Sequence, residues 1–198
     1  MYSQILKIFI RGASQVGKTS FIGRFFEGYR FDLNHYTSID FRSKQINYNN
    51  LIIRLLPYEM QGQRYVIDHP IDTNYRRANG IILLFDITSK SSFLALKNEI
   101  ENNIKPALCE KNHPVIYVIG NKNDLEINRE VSKEEAKKFS DEYGYKYFEC
   151  SLVNYIDDVN HIMGILTMDM FNQKLLDEEK KPIFTKKEIK INKKCIIF

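Results

Sequence analysis

Cysteine is scarce and scattered. Cys109, Cys150 and Cys195 form an odd, widely spaced set with no C-x-x-C pair. That excludes a disulfide framework and gives no zinc pattern, and it fits a reduced, intracellular compartment. The four histidines, His35, His69, His113 and His161, lack metal-ligand spacing and are read as surface or core residues. Long apolar runs are missing too. Stretches such as "GIILLF" fall far short of the roughly 20 residues that span a bilayer. The opening "MYSQILKIFIRGAS" has one early lysine and a short apolar run, a poor signal peptide. No segment repeats.

What is present describes a folded domain with a charged end. At 198 residues and 43% hydrophobic composition, one globular domain with a full core is expected. The net charge of +4 is unevenly placed. From Lys180 to Phe198 there are seven lysines and one glutamate, a local +6, so the preceding residues carry −2. A basic segment on a near-neutral body points to an anionic surface, membrane or nucleic acid.

Short apolar runs alternate with helical patterns. "ILKIFI", "LIIRLL", "GIILLFDI" and "VIYVIG" read as buried strands. "KQINY" reads as a partner of "LIIRLL" across the turn "NN", and "KYFECS" as a last strand. Helices are expected over Thr19–Phe26, Ser91–Ala107, Ser132–Tyr143 and Asp157–Leu175. Ser132 opens "SKEE", a capping box with Glu135. The alternation predicts an α/β fold: a mainly parallel six-stranded sheet with helices on both faces. Pro57 lacks an N–H, so the "LIIRLL" strand is expected to end near Leu56.

Two motifs carry chemistry. "GASQVGKTS" matches G-x-x-x-x-G-K-[ST] through Gly12, Gly17, Lys18 and Thr19, between a strand and a helix. The glycines let backbone N–H groups of Ser14, Gln15, Val16 and Gly17 turn inward around phosphates. Lys18 reaches the β- and γ-phosphates, and the Thr19 hydroxyl, next to Ser20, is a hard oxygen ligand for Mg²⁺. "IGNKND" places Asn121, Lys122 and Asp124 at the end of a buried strand, where doubly wound sheets bind ligands. A carboxylate there accepts the two N–H donors that guanine offers and adenine does not.

With both motifs in place, the chain resembles a small GTPase of the Ras superfamily, closest to the Rab family, from about Gln4 to Leu175. "TSIDFRSKQI", "NYRRANGIILLFDIT", "SFLALKNEI" and "EEAKKFSDEYGYKYFECS" carry the likeness. It implies a P-loop NTPase G domain over residues 1–176 and a flexible basic tail over 177–198. It implies Mg²⁺ held by Thr19, Thr37 and Glu59, with Thr37 eighteen residues after Thr19. It implies that "EMQGQ" stands for the family's Asp-Thr-Ala-Gly-Gln. Gly62 would then meet the γ-phosphate, and Gln63, with Lys18, would serve catalysis. Ser151 and Leu152 occupy the last guanine motif. The aromatic expected over the base falls at Arg30, flanked by Tyr29 and Phe31, and a one-residue slip could place either ring there, with Phe31 carried among the nucleotide-binding residues. Exchange factors, GTPase-activating proteins and effectors at both switches are the implied partners, and nucleic acid is not.

The departures from the pattern matter. Glu59 replaces aspartate, Gln61 replaces alanine, and Leu152-Val153 replace Ala-Lys. "KKCIIF" reads as a prenylation signal on Cys195, backed by Lys186, Lys187, Lys190, Lys193 and Lys194. The expectation is a GTP/GDP switch on the cytoplasmic face of a membrane, with a cytosolic pool, in vesicle traffic and with slow hydrolysis. A GTP-binding platform that scarcely hydrolyses stays open beside it. An ATPase or nucleotide kinase is disfavoured by "NKND" and "CIIF".

Overall fold

The structure, a computed structural model, describes residues 3–27, 43–48, 51–59, 75, 77–108, 113–153 and 156–177. Six strands form one sheet in the order β2-β3-β1-β4-β5-β6. They are β1 (Ser3–Arg11), β2 (Lys44–Tyr48), β3 (Leu51–Glu59), β4 (Gly80–Asp86), β5 (Val115–Asn121) and β6 (Lys146–Cys150). Only the β2–β3 pair is antiparallel, and the other four pairings are parallel. The expected fold class is therefore met, strand for strand.

Composition explains the order. Every residue of β4 is buried, and so are the last six of β5, because a parallel strand is covered on both faces. Leu6, Ile8 and Ile10 of β1 face one side, with Phe21 and Ile22 of α1 (Lys18–Ile22) and Val159, Met163 and Leu166 of α4 (Ile156–Asp177). Phe9, Ile81, Leu83 and Phe85 face the other side, with Phe93 and Leu96 of α2 (Lys90–Glu99) and Ala136 of α3 (Lys133–Glu142). Side chains that alternate along a strand thus feed two separate cores. Truncating one wholly buried aromatic, such as Phe21 to Ala, costs about 3–5 kcal/mol at such a site.

Local rules set the helix ends. Ser132 accepts from the Glu135 N–H at 3.1 Å, the first half of the expected capping box, while the Glu135 carboxylate reaches across to Lys90. Ser89 caps α2 by accepting from the Ser92 N–H at 3.3 Å. The expected Ser91–Ala107 helix forms in three pieces. After α2 the turn widens to π-helical over Ile100–Ile104, and a last turn covers Lys105–Ala107. The widening sits just ahead of Pro106, whose ring would otherwise meet the carbonyl four residues back. α1 likewise runs on as a π-helical turn over Gly23–Glu27.

One expectation is corrected. β3 does not stop at Leu56. It runs to Glu59, with Pro57 opposite Ile8 and Glu59 opposite Ile10 in the ladder with β1. The reason is one-sided pairing. Among the described residues β2 pairs β3 only as far as Leu55, so beyond it β3 has a partner on one edge. A missing N–H on the open edge breaks no ladder bond.

Candidate functional site

The order of strands puts β1 between β3 and β4, so consecutive connections leave it on opposite sides. That is the switch point at which doubly wound sheets bind ligands, beyond the strands' C-terminal ends. The three loops that carry the sequence motifs leave β1, β5 and β6 at that end.

The loop after β1 is held in shape by glycines at two points where a side chain cannot fit. Gly12 has φ +148° and packs against β4, so that a Cβ would sit 2.0 Å from the Leu84 carbonyl oxygen. Gly17 has φ +101°, and its Cβ would sit 2.5 Å from Asn121 Nδ2 and 3.2 Å from Leu152 Cδ1. Gln15 also takes a positive φ of 66°, a backbone seldom found outside tight turns and ligand loops. Lys18 is buried and donates from Nζ to the carbonyls of Gly12 at 3.0 Å and Ala13 at 2.6 Å. Its ammonium is therefore folded over the loop it follows. Val16 puts its side chain into the core and its carbonyl towards Asn121. Ser14 and Gln15 are exposed, while Thr19 and Ser20 are half-buried. No side chain caps α1 at Gly17, which suits a helix start that faces a phosphate.

The residues of the expected base-reading motif lock onto this loop. Asn121 ends β5 and is buried. Its Nδ2 donates to the Val16 carbonyl at 2.8 Å, and its Oδ1 accepts a weak bond from the Cys150 thiol at 3.9 Å. One amide thus ties β5, β6 and the phosphate loop together. Burial pushes the Cys150 thiol up to about 12, so it acts as a small packing residue and not as a nucleophile. Lys122 takes a left-handed φ of 67° and pairs with Asp86 at 2.5 Å. Asp86 also accepts from the Thr88 N–H at 2.9 Å and hydroxyl at 2.7 Å. Burial alone would raise the Asp86 carboxyl, but Lys122 and Thr88 outweigh it and hold it below its ordinary value.

Asp124 presents the clearest ligand signal. Its Oδ1 is buried and has no hydrogen-bond partner among the described residues. A buried carboxylate oxygen without a donor is costly, and a ligand N–H would remove that cost. Ser151 is buried and accepts from the Val153 N–H at 3.2 Å. Leu152 packs on the core beside Gly17, while Val153, where a packing lysine is usual, is 55% exposed.

The structure therefore brings together Gly12 to Ser20, Asn121 to Asp124, and Ser151 with Leu152. Phe31, Thr37, Gly62, Gln63 and Cys195 lie outside the described residues, as do Tyr29, Arg30 and Gln61. Glu59 is described in its backbone, at the end of β3, and not in its side chain. The donor set fits the expected groups. The glycine cradle and the partnerless Asp124 oxygen suit a guanine nucleotide, and the hydroxyl of Thr19 is the hard ligand Mg²⁺ prefers.

Sequence reasoning missed several supporting residues. Asp86, which holds Lys122, was legible only as the polar end of an apolar strand. Arg129 belongs to no motif, yet it makes two 2.9 Å bonds to Glu149 and two, of 2.9 and 2.6 Å, to Glu126. It braces the loop after Asp124 against the strand that leads to Ser151.

Comparison with known proteins gives the family. The Ras family model matches residues 7–171. The mouse (Mus musculus) Ras-related protein Rab-27A is 34% identical over 83% of this chain and 78% of its own length. Human (Homo sapiens) Ras-related protein Rab-27B is 35% identical over 76% of this chain and 72% of its own. Rat (Rattus norvegicus) Rab-27A is 36% identical over 77% and 73%. The two expected nucleotide motifs, interlocked through Gly17 and Asn121, are thus carried on a chain that belongs to the Ras family of small GTPases, on its Rab side, and hydrolyses GTP to GDP and phosphate.

Proposed function

We propose that this GTPase is a membrane-attached GTP/GDP switch in vesicle traffic, with slow intrinsic hydrolysis. The observation that carries the nucleotide reading is the partnerless, buried Asp124 oxygen beside a loop that Asn121 pins to the base side. In this reading the Asp124 carboxylate accepts guanine's two N–H donors, and the Leu152 N–H meets the base oxygen. Gly12 to Gly17 wrap the phosphates, and Lys18 turns from its own loop's carbonyls towards the β- and γ-phosphates. Thr19, Thr37 and Glu59 would hold Mg²⁺, which when bound neutralises charge on the phosphate oxygens. Gln63 orients the attacking water and Gly62 meets the γ-phosphate. Effectors, an exchange factor and an activating protein read the segments around Thr37 and Gly62.

The membrane reading rests on residues 178–198, outside the described part. Cys195 would carry a prenyl group, with the lysine tract as second signal. No helix among the described residues is long and apolar enough to cross a membrane.

Slow hydrolysis follows from "EMQGQ". Glu59 is one methylene longer than aspartate, and Gln61 sets a long side chain where a methyl group is usual. A misplacement of about 1 Å can cost on the order of 100-fold in rate. The same residues favour a second reading, an interaction platform that holds GTP with little turnover. Single-turnover hydrolysis by GTP-loaded protein decides between them. A slow but measurable rate that Gln63→Leu abolishes supports the switch, and a turnover barely above the solution background that Gln63→Leu leaves unchanged supports the platform.

A further inference from the structure

A half-buried charged cluster lies outside both nucleotide motifs. Arg11 is the last residue of β1, immediately before Gly12. Its Nε donates to Glu99 Oε1 on α2 at 2.7 Å, and the two side chains are only 15% and 16% exposed. The hydroxyl of Tyr75, a wholly buried residue, donates to the same carboxylate oxygen. Asn103 donates to the other oxygen at 2.8 Å. The Arg11 guanidinium also lies 5.8 Å from the centre of the Tyr75 ring. Burial alone would raise the Glu99 carboxyl, but these donors hold it below its ordinary value.

Tyr75 is where the chain from β3 is fastened back onto the sheet. Its carbonyl accepts from the Ala78 N–H at 3.1 Å, and Asn79 exchanges two bonds with Lys7 of β1, both 2.9 Å. The ring of Tyr75 lies 6.3 Å from Phe9. Glu99 therefore joins the strand end that starts the phosphate loop to the residue that fixes the chain twelve positions after Gln63.

Stability is a weak reason for such a cluster. A buried ion pair commonly adds little over apolar residues of the same size, because desolvation offsets the attraction. What it supplies is geometry: three donors, from two elements and one connecting segment, meet on one carboxylate. Gly12 next door has no slack, since it packs directly on Leu84.

We propose that Glu99, with Arg11 and Tyr75, is a positioning cluster for GTP hydrolysis, setting Gly12 from one side and the chain that carries Gln63 from the other. The part that runs through Gln63 rests on the catalytic reading of that residue above.

The test uses the full chain loaded with GTP. Tyr75→Phe removes one hydroxyl and keeps the ring. It should slow single-turnover hydrolysis about tenfold, the scale of a sub-ångström misplacement. GDP affinity should stay within about twofold, since an interaction used only in the transition state changes the rate and not the binding. The paired variant Arg11→Met with Glu99→Leu should keep its melting temperature yet hydrolyse slowly. A merely structural cluster would give the full rate once the fold is kept, so wild-type turnover in either variant overturns the proposal. Gln63→Leu is run alongside. If it abolishes hydrolysis while Tyr75→Phe keeps the full rate, the cluster has no positioning role. If Gln63→Leu changes nothing, the reading of Gln63 fails by itself, and Glu99→Gln decides the Arg11–Gly12 arm: slow supports it and unchanged overturns it.

Discussion

Replacing Asp124 by asparagine separates nucleotide recognition from fold stability, because the two should move in opposite directions. In the wild type, one carboxylate oxygen is buried without a partner among the described residues. Two N–H donors from guanine to an ionised acceptor are worth roughly 1.5–3 kcal/mol each. Asparagine keeps one neutral acceptor, worth about 1 kcal/mol, and points an N–H at a guanine N–H. The net loss is about 2–5 kcal/mol, which is on the order of 30- to 4000-fold in GTP affinity. Xanthine nucleotides present an oxygen in place of the amino group, so the amide should bind them better than the carboxylate does. The free protein has a different balance. An unpaired buried carboxylate costs about 1–3 kcal/mol, and an amide is cheaper to bury. Nucleotide-stripped Asp124→Asn should therefore resist urea better than the wild type, by about 1 kcal/mol. Competition of GTP, xanthosine triphosphate and ATP against a fluorescent GDP, with urea curves on the stripped protein, reads both effects. GTP affinity within about threefold of wild type would refute the assignment of the base to Asp124.

The other predictions address the cradle, the acid limb and the tail. Gly17→Ala should abolish measurable nucleotide binding, since its Cβ would lie 2.5 Å from Asn121 Nδ2 in a φ of +101°; binding retained in a fluorescent-nucleotide titration would mean that the loop is looser than described. Asp86→Asn should cost about 1–2 kcal/mol at pH 7, a charge-assisted bond discounted for the partly exposed Lys122. Because the Asp86 carboxyl is held below 3.8, its contribution is full above that pH and is lost as pH falls through the lower folded value. Denaturation curves of wild type and variant should therefore converge below about pH 3.8. Cys195→Ser should move the protein from the membrane fraction to the cytosol, and an intact, unmodified Cys195 by mass spectrometry in cells would remove the lipid reading.

The sequence showed most clearly what depends on neighbours along the chain. The strands were legible because β4 and β5 are apolar throughout, a pattern that only double-sided burial explains. The phosphate loop was legible because its glycines and lysine sit within a few residues of one another. Pro57 misled because its effect depends on where β2 stops pairing, a fact of the sheet and not of the strand. The Arg11–Glu99 pair was invisible for the same reason, its partners standing 88 positions apart. Asp86 could be placed at a strand end, but its pairing with Lys122 depends on the β4–β5 register, which sets Asp86 opposite Asn121.

The same division explains why one short stretch leaves two functional readings in play. In the proposed function, base and phosphate recognition rests on the ends of β1, β5 and β6, which share one hydrogen-bonded junction at Asn121. Any change there disturbs all three loops at once, so the junction tolerates little. Hydrolysis needs more than this junction. In the proposed mechanism its water-orienting residue belongs to "EMQGQ", which begins at the last residue of β3. Binding GTP requires only the ground state to be held, whereas turnover requires contacts that strengthen in the transition state. Substitutions at 59 and 61 can therefore slow chemistry while the guanine site stays whole. If hydrolysis is slow as proposed, the GTP form lasts longer, and the ratio of the two nucleotide forms is set more by partners than by the chain's own catalysis.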